Sequence, residues 1–149
     1  MAKMKLDFTE SQRQLCPEGE YSLRCKQKTQ ELSKTSKQPM LTVDWIPFDP
    51  PSGVSMDQIE KCTIRTWVSL APNALFTLKN LMHASGVECE CSGCSNNYDA
   101  NLDVCPNCQS AMFEFDPDFI DTATPKALVK IEKDRQGEKD VNVIKKYFI

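Results

Sequence analysis

Residues 89–108 read Cys-Glu-Cys-Ser-Gly-Cys-Ser-Asn-Asn-Tyr-Asp-Ala-Asn-Leu-Asp-Val-Cys-Pro-Asn-Cys, and the stretch holds two C-x-x-C pairs, Cys91/Cys94 and Cys105/Cys108. Two pairs at this spacing bring four thiolates within reach of one tetrahedral cation, the arrangement of a zinc ribbon. Gly93 and Pro106 lie inside the two pairs and suit a backbone that folds back to aim both sulfurs at one point. Cys89 forms a C-x-C pair with Cys91 and competes with it as a ligand; knuckle geometry favours Cys91. The alternatives for the same residues are a disulfide pair or free buried thiols, and an iron–sulfur site. The first needs an oxidising compartment, and the last uses the same four-cysteine set. Zn²⁺ is the expected cofactor.

Working outward, a chain of 149 residues suits one domain, 1–149, with a modest insertion at 87–114. The start of the chain, Met1-Ala-Lys-Met-Lys-Leu-Asp-Phe8, has no apolar run of the signal-peptide kind, and no later segment approaches the roughly 20 apolar residues of a membrane span. The expectation is a soluble, cytoplasmic protein that makes no membrane contact. Eight cysteines then read as reduced, four on metal, with Cys16, Cys25, Cys62 and Cys89 as small apolar residues.

The formal net charge of −3 is unevenly spread. Residues 89–122 contain seven carboxylates (Glu90, Asp99, Asp103, Glu114, Asp116, Asp118 and Asp121) and no Lys or Arg. The rest of the chain is therefore net basic, and four thiolates on Zn²⁺ would make the insertion more negative still. Two surfaces of opposite sign follow.

Residues 1–19 are polar, with Leu6 and Phe8 as packing anchors and Pro17-Glu-Gly19 as a turn. From Glu20 to Lys28, Tyr21, Leu23 and Cys25 alternate with Ser22, Arg24, Lys26 and Lys28, which predicts a half-buried strand with a basic outer face. Thr29–Gln38 is polar and reads as a flexible loop. Met40–Phe48 is a second strand with Leu41, Val43 and Trp45 inside, closed by Asp49-Pro-Pro-Ser-Gly53, and a loop runs on to Glu60. Lys61–Leu70 is a third, in which Cys62, Ile64, Thr66, Val68 and Leu70 alternate with Thr63, Arg65, Trp67 and Ser69. A helix is predicted from Pro72, with Leu75, Leu78, Leu81 and Met82 on one face and Gly86 as its stop. After the cysteine segment, Phe115–Phe119 is a turn or short helix. Ala127, Val129 and Ile131 mark a fourth strand, and Asp140–Ile149 is the fifth. Three strands, a helix, an insertion and two strands is the element order of the five-stranded oligonucleotide-binding (OB) barrel, so the predicted fold is mainly β.

With those elements placed, the chain resembles the small single-stranded DNA-binding proteins of bacterial viruses. The similarity lies in Pro17-Glu-Gly-Glu-Tyr21, in Leu78-Lys-Asn-Leu-Met-His-Ala-Ser-Gly86 and in Gly137-Glu-Lys-Asp-Val-Asn-Val143, and it spans roughly residues 15–86 and 115–149. The resemblance implies an OB barrel that coats single-stranded DNA in replication, recombination and repair, without catalysis, in the cytoplasm of an infected bacterium. The cysteine ribbon is an addition to that pattern. The C-terminus, Lys145-Lys-Tyr-Phe-Ile149, lacks the acidic tail with which many such proteins recruit partners. The acidic ribbon is a candidate replacement, contacting replication or recombination proteins or another copy of the chain.

Binding a single strand needs cations along the phosphates and flat side chains for bases, at about 1–3 kcal/mol per stacked base. Arg24, Lys26, Lys28, Arg65 and Trp67 are the candidate set, with Phe48 and Tyr147 as weaker stacking residues and Trp45 assigned to the core. His83, the single histidine, reads as a packing or surface residue on the helix. Asp116, Asp118 and Asp121 read as a solvated turn more readily than as a Mg²⁺ site. A closed four-cysteine site also offers no open metal position for hydrolysis. The competing function is a ribbon adaptor in a replication or transcription complex, with the barrel as scaffold.

Overall fold

The computed structural model describes residues 2–6, 15–32, 37–134 and 136–148. The expected anchor Phe8 lies outside them, and Leu6 is 82 % exposed. The fold is mainly β and antiparallel. Five strands form one sheet, β1 (Gly19–Leu32), β2 (Pro39–Phe48), β3 (Ile64–Ser69), β7 (Lys126–Lys133) and β8 (Asp140–Phe148), in the order β3-β2-β1-β7-β8. Three short strands, β4 (Glu88–Cys91), β5 (Asn97–Asp99) and β6 (Phe113–Glu114), form a second sheet in the order β5-β4-β6. The outermost strands of the larger sheet, β3 and β8, come back against each other, with no ladder pairing between them among the described residues.

The inner face of the large sheet follows the alternation in the sequence. Tyr21 and Leu23 of β1, Leu41, Val43 and Trp45 of β2, Ile64 and Val68 of β3, and Ala127 and Val129 of β7 are buried together. Trp45 donates its Nε1–H to Thr66 Oγ1 at 3.1 Å, so the buried indole keeps a partner. Tyr147 of β8 packs on the same core. Burial pushes its phenol up to about 12, against hydrogen bonding with Thr66 and Trp45, so Tyr147 is a core residue and not a stacking platform.

Four expectations change. β1 runs through Leu32, so Thr29–Leu32 is strand where a flexible loop was expected. Polar residues suffice there because the segment pairs with Pro39–Thr42 of β2 and buries neither face. The loop to Glu60 contains a short helix, α1 (Met56–Ile59), started where the backbone N–H of Ser55 donates to Gln58 Oε1 at 2.8 Å and anchored by the buried Ile59. The third strand begins at Ile64, after α1, and the main helix α2 (Phe76–Ala84) begins four residues beyond Pro72. At its far end, Val87 N–H bonds Met82 O and Gly86 N–H bonds His83 O, with Gly86 at φ 72°. This is the left-handed glycine stop of a Schellman motif, and it turns the chain directly into β4. A third short helix, α3 (Phe119–Thr122), precedes β7.

Candidate metal centre and sheet-face site

The four knuckle cysteines converge. The Sγ atoms of Cys91, Cys94, Cys105 and Cys108 all lie within 4.8 Å of one another. Cys91 Sγ is 3.4 Å from Cys108 Sγ, and Cys94 Sγ is 3.7 Å from Cys105 Sγ. A tetrahedron with metal–sulfur bonds of about 2.3 Å has edges of about 3.8 Å, so the four donors already stand near the spacing that a single ion requires. Cys89 is outside the group: it lies two residues before Cys91 on the same side of β4, fully buried and paired with Tyr98 of β5, and its sulfur is not among those that converge. That settles the competition between Cys89 and Cys91 in favour of Cys91.

The two knuckles repeat one construction. Ser95 N–H bonds Cys91 O at 2.9 Å and Cys91 N–H bonds Asn96 O at 2.9 Å; in the second knuckle Gln109 N–H bonds Cys105 O at 2.8 Å and Cys105 N–H bonds Ser110 O at 2.9 Å. Each knuckle closes through a left-handed residue, Ser95 at φ 62° and Gln109 at φ 66°. Gly93 has no positive φ, and a Cβ there would meet Cys108 Sγ only at an ordinary 3.6 Å, so the strained positions fall after each pair and not within it. Two asparagines brace the knuckles reciprocally. Asn107 Nδ2 donates to Cys94 Sγ at 3.4 Å and Asn96 Nδ2 to Cys105 Sγ at 3.7 Å, while Gly93 N–H points at Cys91 Sγ at 3.3 Å.

These donors favour thiolate sulfur. Burial works to raise Cys105, but the backbone N–H groups of Cys108 and Asn107 and the Asn96 amide outweigh it and bring the thiol down to about 6. The Asn107 amide likewise lowers Cys94. Cys108 gains a lowering bond from the Ser110 backbone, yet its neighbours Cys91 and Cys94 push it up to about 12. Four sulfurs this close cannot all ionise without a cation among them. With all four sulfurs within 4.8 Å of one another, the cluster could hold a metal ion.

Helix α2 carries this module. His83 Nδ1 lies 2.7 Å from Asp99 Oδ1. One turn earlier, Lys79 bonds the Leu102 carbonyl and lies 5.5 Å from the Phe113 ring centre. His83 is thus the packing residue the sequence suggests, with an acidic partner that sequence spacing does not reveal.

The second candidate site is the outer face of β1–β3. Strand register places Thr29, Thr42 and Trp67 in one row, Gln27, Asp44 and Arg65 in the next, and Arg24 opposite Ile46 beyond. Trp67 is 58 % exposed, as the alternation in β3 predicts, and Arg24 and Lys26 are exposed too. Phe48 stands half-buried opposite Ser22 at the far end of the same face.

Two of the expected cations are committed elsewhere. A bulge between Cys25 and Gln27 shifts the register, so Lys28 pairs with the core-facing Val43 and leaves the outer face. Its ammonium lies 2.8 Å from Asp121 and 3.0 Å from Asp118, and Asp121 first, then Asp118, holds it above the ordinary lysine range. Those carboxylates are accordingly α3's clamp on β1 and not an open Mg²⁺ site. Arg65 remains outside but makes a two-point ion pair with Asp44, Nε to Oδ1 at 2.8 Å and Nη2 to Oδ2 at 3.1 Å. Gln27 donates to the same carboxylate at 2.7 Å. Arg65, and then Gln27, keeps the 5 % exposed Asp44 below the usual carboxylate range despite burial.

Among the described residues, the rows around Trp67 therefore offer little free positive charge. Thr42 there donates to Glu31 at 2.9 Å.

No protein-family model matches the chain, and no curated protein is significantly similar to it. Among the described residues, no helix is long and apolar enough to cross a membrane.

Proposed function

We propose that this protein is a non-catalytic single-stranded DNA-binding protein of the OB class, carrying a structural zinc ribbon. The observation that carries the proposal is Trp67, a large indole 58 % exposed on a sheet face whose neighbouring rows are polar. An exposed tryptophan in mid-strand costs solvation unless it meets a flat apolar partner, and a nucleobase is such a partner. The OB assignment is supported by the strand order β3-β2-β1-β7-β8, the return of β3 against β8 and the position of α2 after β3 in the chain. In that barrel, nucleic acid lies across the outer face of the second and third strands. Arg24 and Lys26 supply phosphate contacts and Phe48 a second apolar surface. Arg65, held by Asp44, stiffens the face beside Trp67 and offers only its remaining N–H groups.

Zinc is the ion best matched to four cysteine sulfurs closing a tetrahedron, and it serves the fold with no open position for a substrate. Cys91, Cys94, Cys105 and Cys108 would hold it, with Asn96 and Asn107 steadying two of the sulfurs. The ribbon itself is a poor DNA surface, because residues 87–114 have five carboxylates and no Lys or Arg. Met112, 72 % exposed on it, favours contact with a protein, which makes the adaptor role a second activity of the ribbon. Titration with oligo-dT tests the main proposal. Trp45 is buried, so salt-dependent quenching reports Trp67 alone; unchanged fluorescence and no binding to single strands would refute it.

A further inference from the structure

We propose that the DNA-binding face continues past β1 to a second station on β7 and β8, built from Phe148, Lys146 and Lys126, so that a single strand is held at both ends of the sheet. This rests on the function proposed above. It starts from a shortage: in the Trp67 row and the next, the one cation among the described residues, Arg65, is paired with Asp44, and Glu31 adds a carboxylate. A strand stacked on Trp67 must find most of its phosphate contacts elsewhere.

Register shows where. Phe48 pairs with Ser22, Ser22 with Lys126, and Lys126 with Phe148, which makes one row across β2, β1, β7 and β8. The next residues inward, Tyr21 and Ala127, are buried, so the row faces out. A bulge between Leu128 and Val129 in the β7–β8 ladder leaves Lys145 unpaired, so Lys146 returns to the outer face beside Phe148. The Lys146 ammonium lies 4.8 Å from the centre of the Phe148 ring, and Phe148 is half-exposed.

Arg24 is exposed one step along the same face. Three cations and two phenylalanines thus occupy a continuous strip. The one acid among them, Glu20, meets Lys126 at 3.6 Å, with both side chains more than half exposed. Such a pair is worth little and yields readily to a phosphate.

The occupant is single-stranded nucleic acid, on two grounds. The strip is continuous with the Trp67 face through Arg24 and Phe48. It also combines flat side chains with net positive charge, the composition of a single-strand platform.

The test uses the full, metal-loaded chain with oligo-dT of about 4 and about 16 nucleotides, the range of OB site sizes. The variant is Lys126→Gln/Lys146→Gln. Both lysines are exposed, and a Tm equal to wild type confirms that the fold is kept. The expected result is that the long oligonucleotide binds several-fold more weakly, with a log–log salt slope shallower by about 1.4, two phosphates at about 0.7 each. Quenching of Trp67 by the short one should be unchanged. If the variant matches wild type on the long oligonucleotide while Trp67→Ala still weakens it, the second station is refuted and the first stands. If wild type binds neither, both fall. If the variant changes only self-association, seen by sedimentation, the strip contacts another copy of the chain and the proposal is overturned.

Discussion

The ribbon and the five-stranded sheet are held together in different ways. Strands of two to four residues make up the ribbon, and few large side chains are buried in it besides Tyr98. Its order depends on four sulfurs and the ion they would hold. The sheet encloses Tyr21, Leu23, Leu41, Trp45, Ile64 and other fully buried side chains and needs no cofactor to exclude water. Its charges are placed by register and bulges. The contrast teaches that the two parts should fail separately: removing metal should undo the ribbon and spare the sheet, whereas disturbing a cross-strand pair should do the reverse.

The largest expected effect is metal removal. Apparent binding energies of structural zinc in small modules are on the order of 10–16 kcal/mol, far beyond what the ribbon's own packing supplies. Chelation, or Cys105→Ser, should abolish amide protection across residues 88–114 while β1, β2 and β3 stay protected in hydrogen exchange. Simultaneous loss of protection in both parts would break the comparison, as would the absence of bound metal in the purified protein.

Next in size is Arg65→Ala. It strands the buried Asp44 carboxylate with only Gln27 as partner. The expected loss is about 1–3 kcal/mol, less than for a fully buried pair because the guanidinium is half exposed. Denaturant melts should show it in the sheet with metal content unchanged. The same pair sets an acid limit. Asp44 is held below its unfolded pKa, so its contribution is present above the ordinary carboxylate range and fades as pH falls through the folded value. Asp44→Asn should flatten the dependence of Tm on pH in that window; an unchanged profile would mean other carboxylates dominate.

The smallest effect sharpens the bulge in β1. Lys26→Ala should flatten the salt dependence of DNA binding by about 0.7. Lys28→Ala should leave the slope untouched and cost under about 1 kcal/mol of stability, because the residue serves Asp118 and Asp121. Equal slope changes for both would place Lys28 back on the outer face.

Much of this was legible in the sequence, and the gaps have physical causes. C-x-x-C spacing identifies four ligands because metal geometry tolerates few alternatives, and period-two alternation puts Trp45 inside and Trp67 outside. A bulge leaves no mark on composition, yet it reverses every side chain after it, which is why Lys28 reads as a DNA contact and is an α3 anchor. Phe148 escapes notice for a related reason: its row exists only through the pairing of four strands. Asn96 and Asn107 carry no pattern of their own; their role appears once the knuckles face each other. The Arg65–Asp44 pair joins residues of different strands, and only the β2–β3 register reveals it. The mainly β, antiparallel architecture follows the expected class, while the extension of β1 to Leu32 rests on pairing that polar residues do not advertise.

The most direct measurement of the central claim is the affinity of Trp67→Ala for a single-stranded oligonucleotide, compared with wild type at equal salt and with Tm measured alongside. A lost stacking platform predicts binding weaker by about 1–3 kcal/mol, little change in salt slope and a Tm near wild type. Unchanged affinity per folded molecule, with or without a fall in Tm, would contradict the account and leave the exposed indole without a base to stack on.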